Sequence, residues 1–204
     1  MSKISFVKTI IAKSDYKEKE TMGDIYLIHF DPIEKEGMDA YECVECSVPV
    51  GDYDAEEVKA EYEAWKEKHD AAELAYAIRT KVAEIEDYDT SIKVNGFYLN
   101  GTLVPWSSDD DTTLNKNIRM GLRQNIKDKV SLGEDNIDMW LGGMKITMPC
   151  EEADVFMCNL ENYAYECFNV TALHKKEVED MKTIEEIESF DITSDYPKQL
   201  SIKV

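Results

Sequence analysis

Residues 54–86 read DAEEVKAEYEAWKEKHDAAELAYAIRTKVAEIE, a run with no glycine and no proline. Asp54 can cap a helix, and Glu57 three residues later completes a pair of capping-box type. Val58, Tyr62, Trp65, Ala72 and Tyr76, with Leu74, Ile78, Val82 and Ile85, recur at spacings of three and four, the period of a helix. Such a helix would be about 45–50 Å long. Two arrangements fit it. One is a long helix, or two kinked halves, packed on a sheet. The other is a helix that projects and joins a partner or its own copies.

Outward from this run the period changes on both sides. Residues 3–12 (KISFVKTIIA), 25–30 (IYLIHF) and 41–50 (YECVECSVPV) read as strands, separated by polar turns at Gly23-Asp24 and Gly37. Asp31-Pro32 is expected to stop the second strand. Residues 1–51 therefore read as a small three-stranded antiparallel domain, and 52–90 as a helix and connector. Residues 91–204 form a third segment. It holds a hairpin over 92–106 turned by Asn100-Gly101, then a helix to about Val130 capped from Asp109, Asp110 and Asp111. Along that helix Leu114, Ile118, Leu122, Ile126 and Val130 fall every four residues. A second hairpin over 137–148 turns at Gly142-Gly143. A helix over 151–173 follows, with Val155, Phe156, Leu160, Tyr163, Cys167, Phe168 and Val170 as its apolar face. A capping box at Thr183 and Glu186 starts the last helix, and Pro197 is expected to close the ordered part. Strands, a long helix, then hairpin, helix, hairpin and helices define an α+β fold, distinct from alternating parallel α/β.

The chain has 204 residues and a formal net charge of −20, from 43 acidic and 23 basic side chains. The acid is even: 23 acidic against 12 basic residues in 1–105, and 20 against 11 in 106–204. The charge therefore belongs to folded surfaces, and 43% apolar residues are too many for a disordered tail. Such a balance argues against sequence-independent nucleic-acid binding, which depends on Lys and Arg neutralising phosphates, and against anionic membranes. The opening MSKISFVKTIIA lacks the apolar core of a secretory leader, and five cysteines are an odd number. The expectation is a reduced protein made and folded in a cytoplasm.

The motifs with chemical potential are sparse. Cys43-Val44-Glu45-Cys46 has the spacing of a redox pair, but Glu42 and Glu45 oppose a thiolate and a strand turns the two thiols to opposite faces. Cys150, Cys158 and Cys167 supply no matching second pair for zinc. His29, His69 and His174 stand in no ligand pattern, and the acids at 109–111 lack the alternate spacing of a calcium loop. No catalytic, cofactor or metal residue is assigned, and no cofactor is expected. One charge pattern stands out. Lys116, Arg119, Arg123 and Lys127 form a basic stripe on a helix that carries five basic residues and one acid over 112–130. It can neutralise the molecule's own acidic helices or meet an acidic face on a neighbour. With Tyr62 and Trp65 of the long helix, these four make the candidate interface.

Residues 95–197 resemble a family of phage and prophage proteins encoded among tail genes. The resemblance is carried by Gly96-Phe97-Tyr98-Leu99-Asn100-Gly101 with Val104 and Trp106-Ser107-Ser108. Further along it is carried by Leu114 and Gln124, Trp140 with Lys145-Ile146-Thr147, and Phe156 and Tyr163. It ends on Val178, the run Met181-Lys182-Thr183-Ile184-Glu185-Glu186-Ile187 and Asp195-Tyr196-Pro197. Residues 25–33 (IYLIHFDPI) are similar to openings of gut-bacterial phage proteins. The resemblance implies a non-enzymatic virion subunit of the tail, connector or fibre-attachment region. Its partners would be other virion proteins and copies of itself, with neither nucleic acid nor membrane. An assembly chaperone absent from the mature particle and, more remotely, a thiol-redox protein built on Cys43 and Cys46 are the alternatives.

Overall fold

The computed structural model describes residues 4–105, 120–140 and 145–203 in full, and the backbone alone of 116–119, 141 and 144. Trp106, Ser107, Ser108, the acids at 109–111, Leu114 and the Gly142-Gly143 turn lie outside the described residues, as do the side chains of Lys116, Ile118 and Arg119. The fold is α+β. The chain divides into two compact units, Met1–Glu73 and Leu74–Val204, and the division falls inside the long helix α1 (Ala55–Thr90).

The first unit is an antiparallel sheet of β1 (Phe6–Ala12), β2 (Lys19–Met22), β3 (Ile25–Glu34) and β4 (Ala40–Pro49), in the order β1-β4-β3-β2. It has four strands where the sequence predicts three. Strand β2 reads KETM, too polar to register as a strand, and forms because the Gly23-Asp24 turn folds it back onto Ile25 to Ile28. Strand β3 runs through Asp31-Pro32 instead of stopping there. The register steps from Phe30↔Val44 to Ile33↔Glu42, so two residues of β3 stand against one of β4, with Asp31 at φ +48°. β2 pairs only as far as Ile28, so the missing N–H of Pro32 costs no bond on that side. Asp54 caps α1 by accepting from the N–H groups of Glu56 and Glu57. Val58 and Tyr62 then pack with Phe6, Ile28, Val44, Cys46 and Val48 in a core completed by Trp65, Phe30 and Tyr26.

The second unit begins with the rest of α1. Leu74, Ile78, Val82 and Ile85 form a small core with Val178 and Ile187, while Tyr76 of the predicted row is exposed. The first hairpin is β5 (Gly96–Leu99) with β6 (Thr102–Pro105), and Asn100 and Gly101 both have positive φ, as that dipeptide requires. Then come α2 (Lys116–Ser131), the hairpin β7 (Asn136–Leu141) and β8 (Met144–Pro149), α3 (Cys150–Asp180) and α4 (Ile184–Ser189). The main core gathers Phe97, Leu99, Ile126, Ile137, Met139, Met157 and Leu160. The every-four row of α2 does not stay on one face. Ile126 is buried and Val130 is exposed, because four residues advance ~400° and each step drifts by ~40°. On α3, Val155 and Phe168 also point to solvent.

The chain does not end its order at Pro197. β9 (Ser201–Ile202) adds to β5 in parallel, with Tyr98 N–H donating to Leu200 O at 2.7 Å and Asn100 N–H to Ile202 O at 2.8 Å. The approach is fixed upstream. Thr171 hydroxyl donates to Asp89 (2.7 Å) and meets the Tyr196 hydroxyl (2.7 Å), and the Gln199 amide donates to Ile92 O (2.8 Å). Polar pairs of this kind carry no hydrophobic period, so the pattern reading misses them.

Gly96 opens β5 because a Cβ there would lie 2.6 Å from the Ile92 carbonyl oxygen. Gly96→Ala is expected to destabilise the protein by about 1–3 kcal/mol. Gly121→Ala, in open space on α2, is expected to stabilise it by about 0.5–1 kcal/mol. Urea unfolding of the two variants checks both signs.

Candidate functional site

A cluster of polar and aromatic side chains surrounds the bulge of β3. Asp31 accepts a hydrogen bond from the Tyr62 hydroxyl at 2.8 Å and pairs with Lys66. Lys66 first, and then Tyr62, hold the Asp31 carboxyl below the usual carboxylate range. One turn on, the Trp65 and His69 rings stack at 4.5 Å and 12°. His69 Nε2 lies 3.3 Å from Glu73, which also takes Lys8 of β1 at 2.8 Å. Helical spacing places Tyr62, Trp65, Lys66, His69 and Glu73 along the side of α1 that meets the sheet. Tyr62, Trp65, Lys66 and His69 border a cavity of about 150 Å³ together with Asp31 and Lys8. Beside it, between α1 and the β2–β3 half of the sheet, lies an open groove of about 760 Å³. Its floor is Ile28, Phe30, Val58 and Tyr62. Lys19 closes one end over the rings of Tyr26 and Tyr53, at 3.8 and 3.5 Å.

Chemically, the cluster is a clamp. Lys8 and Lys66 are paired with Glu73 and Asp31 within the unit, and the aromatic rings pack on one another, Phe30 on Tyr62 at 4.0 Å and 12°. The left-handed turn at Asp31 is secured by its two partners.

The structure distributes the six interface candidates. Tyr62 is a core residue of the first unit and Trp65 packs half-buried beside it. Arg123 is half-buried against α3, its Nη2 donating to Cys158 Sγ at 3.4 Å and its Nε 4.0 Å from Asp154. Lys127 is exposed, and the side chains of Lys116 and Arg119 lie outside the described residues. Tyr62 and Trp65 belong to the first unit and the stripe to the second.

Cys43 and Cys46 are both buried on β4, Cys46 within the core. Burial, with Glu45 adding to it, pushes the Cys46 thiol up to about 11 and raises that of Cys43. Cys167 is likewise pushed up to about 11 by burial. His29 is buried on β3 between the Lys17 carbonyl and Glu45, its Nε2 3.1 Å from the carboxylate. His174 is buried edge-on to Phe190 and Tyr196 with neither ring nitrogen hydrogen-bonded. Among the described residues, no group of three or more His, Cys, Asp or Glu side chains is placed to hold a metal ion, and no helix is long and apolar enough to cross a membrane.

Comparison with family models, with curated proteins and with solved structures finds no match.

Two outcomes test these assignments. Asp31→Ala is expected to be about 1 kcal/mol less stable than Asp31→Gly, because both lose the clamp and only alanine keeps the cost of positive φ. The depressed Asp31 carboxyl also contributes stability that is present above the ordinary carboxylate range. That contribution is lost as pH falls through the lowered value, so wild type and Asp31→Asn converge in acid melts. In thiol titration of the folded protein only Cys158, the one cysteine that is not buried, is expected to react. All five should react in denaturant.

Proposed function

We propose that this chain is a non-enzymatic structural subunit of a virion, in the tail, connector or fibre-attachment region, that acts through protein–protein surfaces. The observation that carries the reading is the outward side of α3. Val155, Tyr165, Phe168 and Leu173 are each more than half exposed, Tyr165 and Phe168 at 66% and 64%. They lie away from the stripe of Ala153, Met157, Leu160, Cys167 and Val178 that faces the core. A 31-residue helix with a packed stripe on one side and unpartnered large apolar groups on the other offers a surface for another protein. Trp140 on β7 is 69% exposed and adds to the unpartnered apolar surface of this unit.

Charge supports the same reading. A net charge of −20 keeps such a subunit soluble and suppresses random contacts until a complementary surface is met. Lys127, exposed on α2, is a local positive point available to an acidic neighbour. The resemblance of residues 95–197 to tail-associated proteins supplies the virion setting.

Mass spectrometry of purified particles is expected to find the chain in fixed stoichiometry. Absence from particles, with presence in infected cells, overturns the structural role in favour of an assembly chaperone. Tyr165→Asp with Phe168→Asp is expected to abolish incorporation while leaving the thermal melt of the free protein unchanged, since both side chains are exposed.

A further inference from the structure

The two edges of the first unit's sheet are built differently. β2 is four residues long and polar (KETM), both features that blunt an edge. β1 has neither. It reads FVKTIIA, pairs with β4 without interruption from Phe6↔Cys46 to Ala12↔Ala40, and has no strand on its other side among the described residues. Val7 and Ile10 are 51% and 53% exposed along it. A long, regular edge of β-branched residues presents a row of free N–H and C=O groups and is a template for another strand.

The geometry points to a second copy of this chain as that strand's partner, the β1 edges of two copies pairing antiparallel about a two-fold axis at Thr9. Local charge at this edge leaves a like partner unopposed. Residues 2–14 contain Lys3, Lys8 and Lys13 and no acid, in a chain with 43 acids. Lys8 is held by Glu73 at 2.8 Å and Lys13 by Glu34 at 3.0 Å within the same unit. These two lysines are therefore matched at home, with little left to draw an acidic partner or repel their own copy. The strand is also self-complementary in that register. Thr9 meets Thr9, Val7 meets Ile11 twice, and each Lys8 lies opposite Ile10 instead of another lysine, while Lys13 falls beyond the paired stretch. The two-fold closes at a dimer with one continuous eight-stranded sheet ending in the blunt β2 strands, so no open fibre is built. A seven-residue edge pair is smaller than a standard interface of ~1,600 Å², so the self-association is expected to be reversible.

This inference deepens the assembly reading above by naming a partner, and the two fail separately. Sedimentation velocity of the full chain, from about 5 to 200 µM, is expected to show a reversible dimer. Val7→Lys with Ile10→Lys is expected to weaken it by about tenfold or more without changing the melt, both sites being exposed. Thr9→Cys is expected to form an intermolecular disulfide on mild oxidation, because paired antiparallel Cα atoms lie ~5 Å apart. Met38→Cys, on an exposed turn, should cross-link no more than wild type. A wild-type chain that stays monomeric, a lysine variant that dimerises undiminished, or a Thr9→Cys yield no higher than that of Met38→Cys overturns the pairing. A monomer in solution that still enters particles leaves the subunit role standing, and a dimer that never enters them does the reverse.

Discussion

A helix of 36 residues without glycine or proline has to bury two successive apolar rows, and the rest of the architecture answers that demand. Its first row, Val58, Tyr62 and Trp65, is met by the sheet through Phe6, Ile28, Phe30 and Val44. Its second, Leu74, Ile78, Val82 and Ile85, is met by Val178 of α3 and by Ile187 of α4. Neither row is long enough to hold a helix of this size on tertiary packing by itself, and helix propensity adds only tenths of a kcal/mol per residue. The division into units falls between the two rows for that reason.

The clamp at Asp31 is a local consequence of the same packing. A β-bulge puts an extra residue into β3, and a non-glycine residue at φ +48° carries a cost of about 1–2 kcal/mol. Tyr62 and Lys66, one turn apart on α1, supply two bonds to the carboxylate there. The helix thus fixes the bulge, which interrupts the register of β3 with β4. On the opposite side β1 keeps unbroken register with β4 and stays open at its outer edge.

Much of this was legible in the sequence, for identifiable reasons. Asn100-Gly101, the Thr183–Glu186 capping box and Asp54 are short signals whose chemistry acts on the nearest backbone, and each does so in the structure. Val155 and Phe168 fall on the predicted apolar face of α3 because they sit at acceptable spacings. Periodicity counts apolar residues and does not say which side is covered. Strand β2 and strand β9 escaped because KETM and the Ser201-Ile202 pair have no apolar alternation, and pairing with a neighbour makes them strands. Tyr62, placed with the interface candidates from its helix spacing, lies under the sheet, a position visible only once Phe30 is stacked on it.

By itself, the sequence determined the α+β order, the long helix, the hairpin turn and caps, and the even spread of acid over both halves, because these depend on backbone preference and composition within a few residues. Only the tertiary structure decided which apolar side chains are spent in the cores and which are left outward on α3 and β1. It also decided that the cysteines of β4 are sealed, and that Lys8 and Lys13 are neutralised by distant acids. Those outcomes depend on residues tens of positions apart meeting in space, and a local pattern holds no record of such meetings.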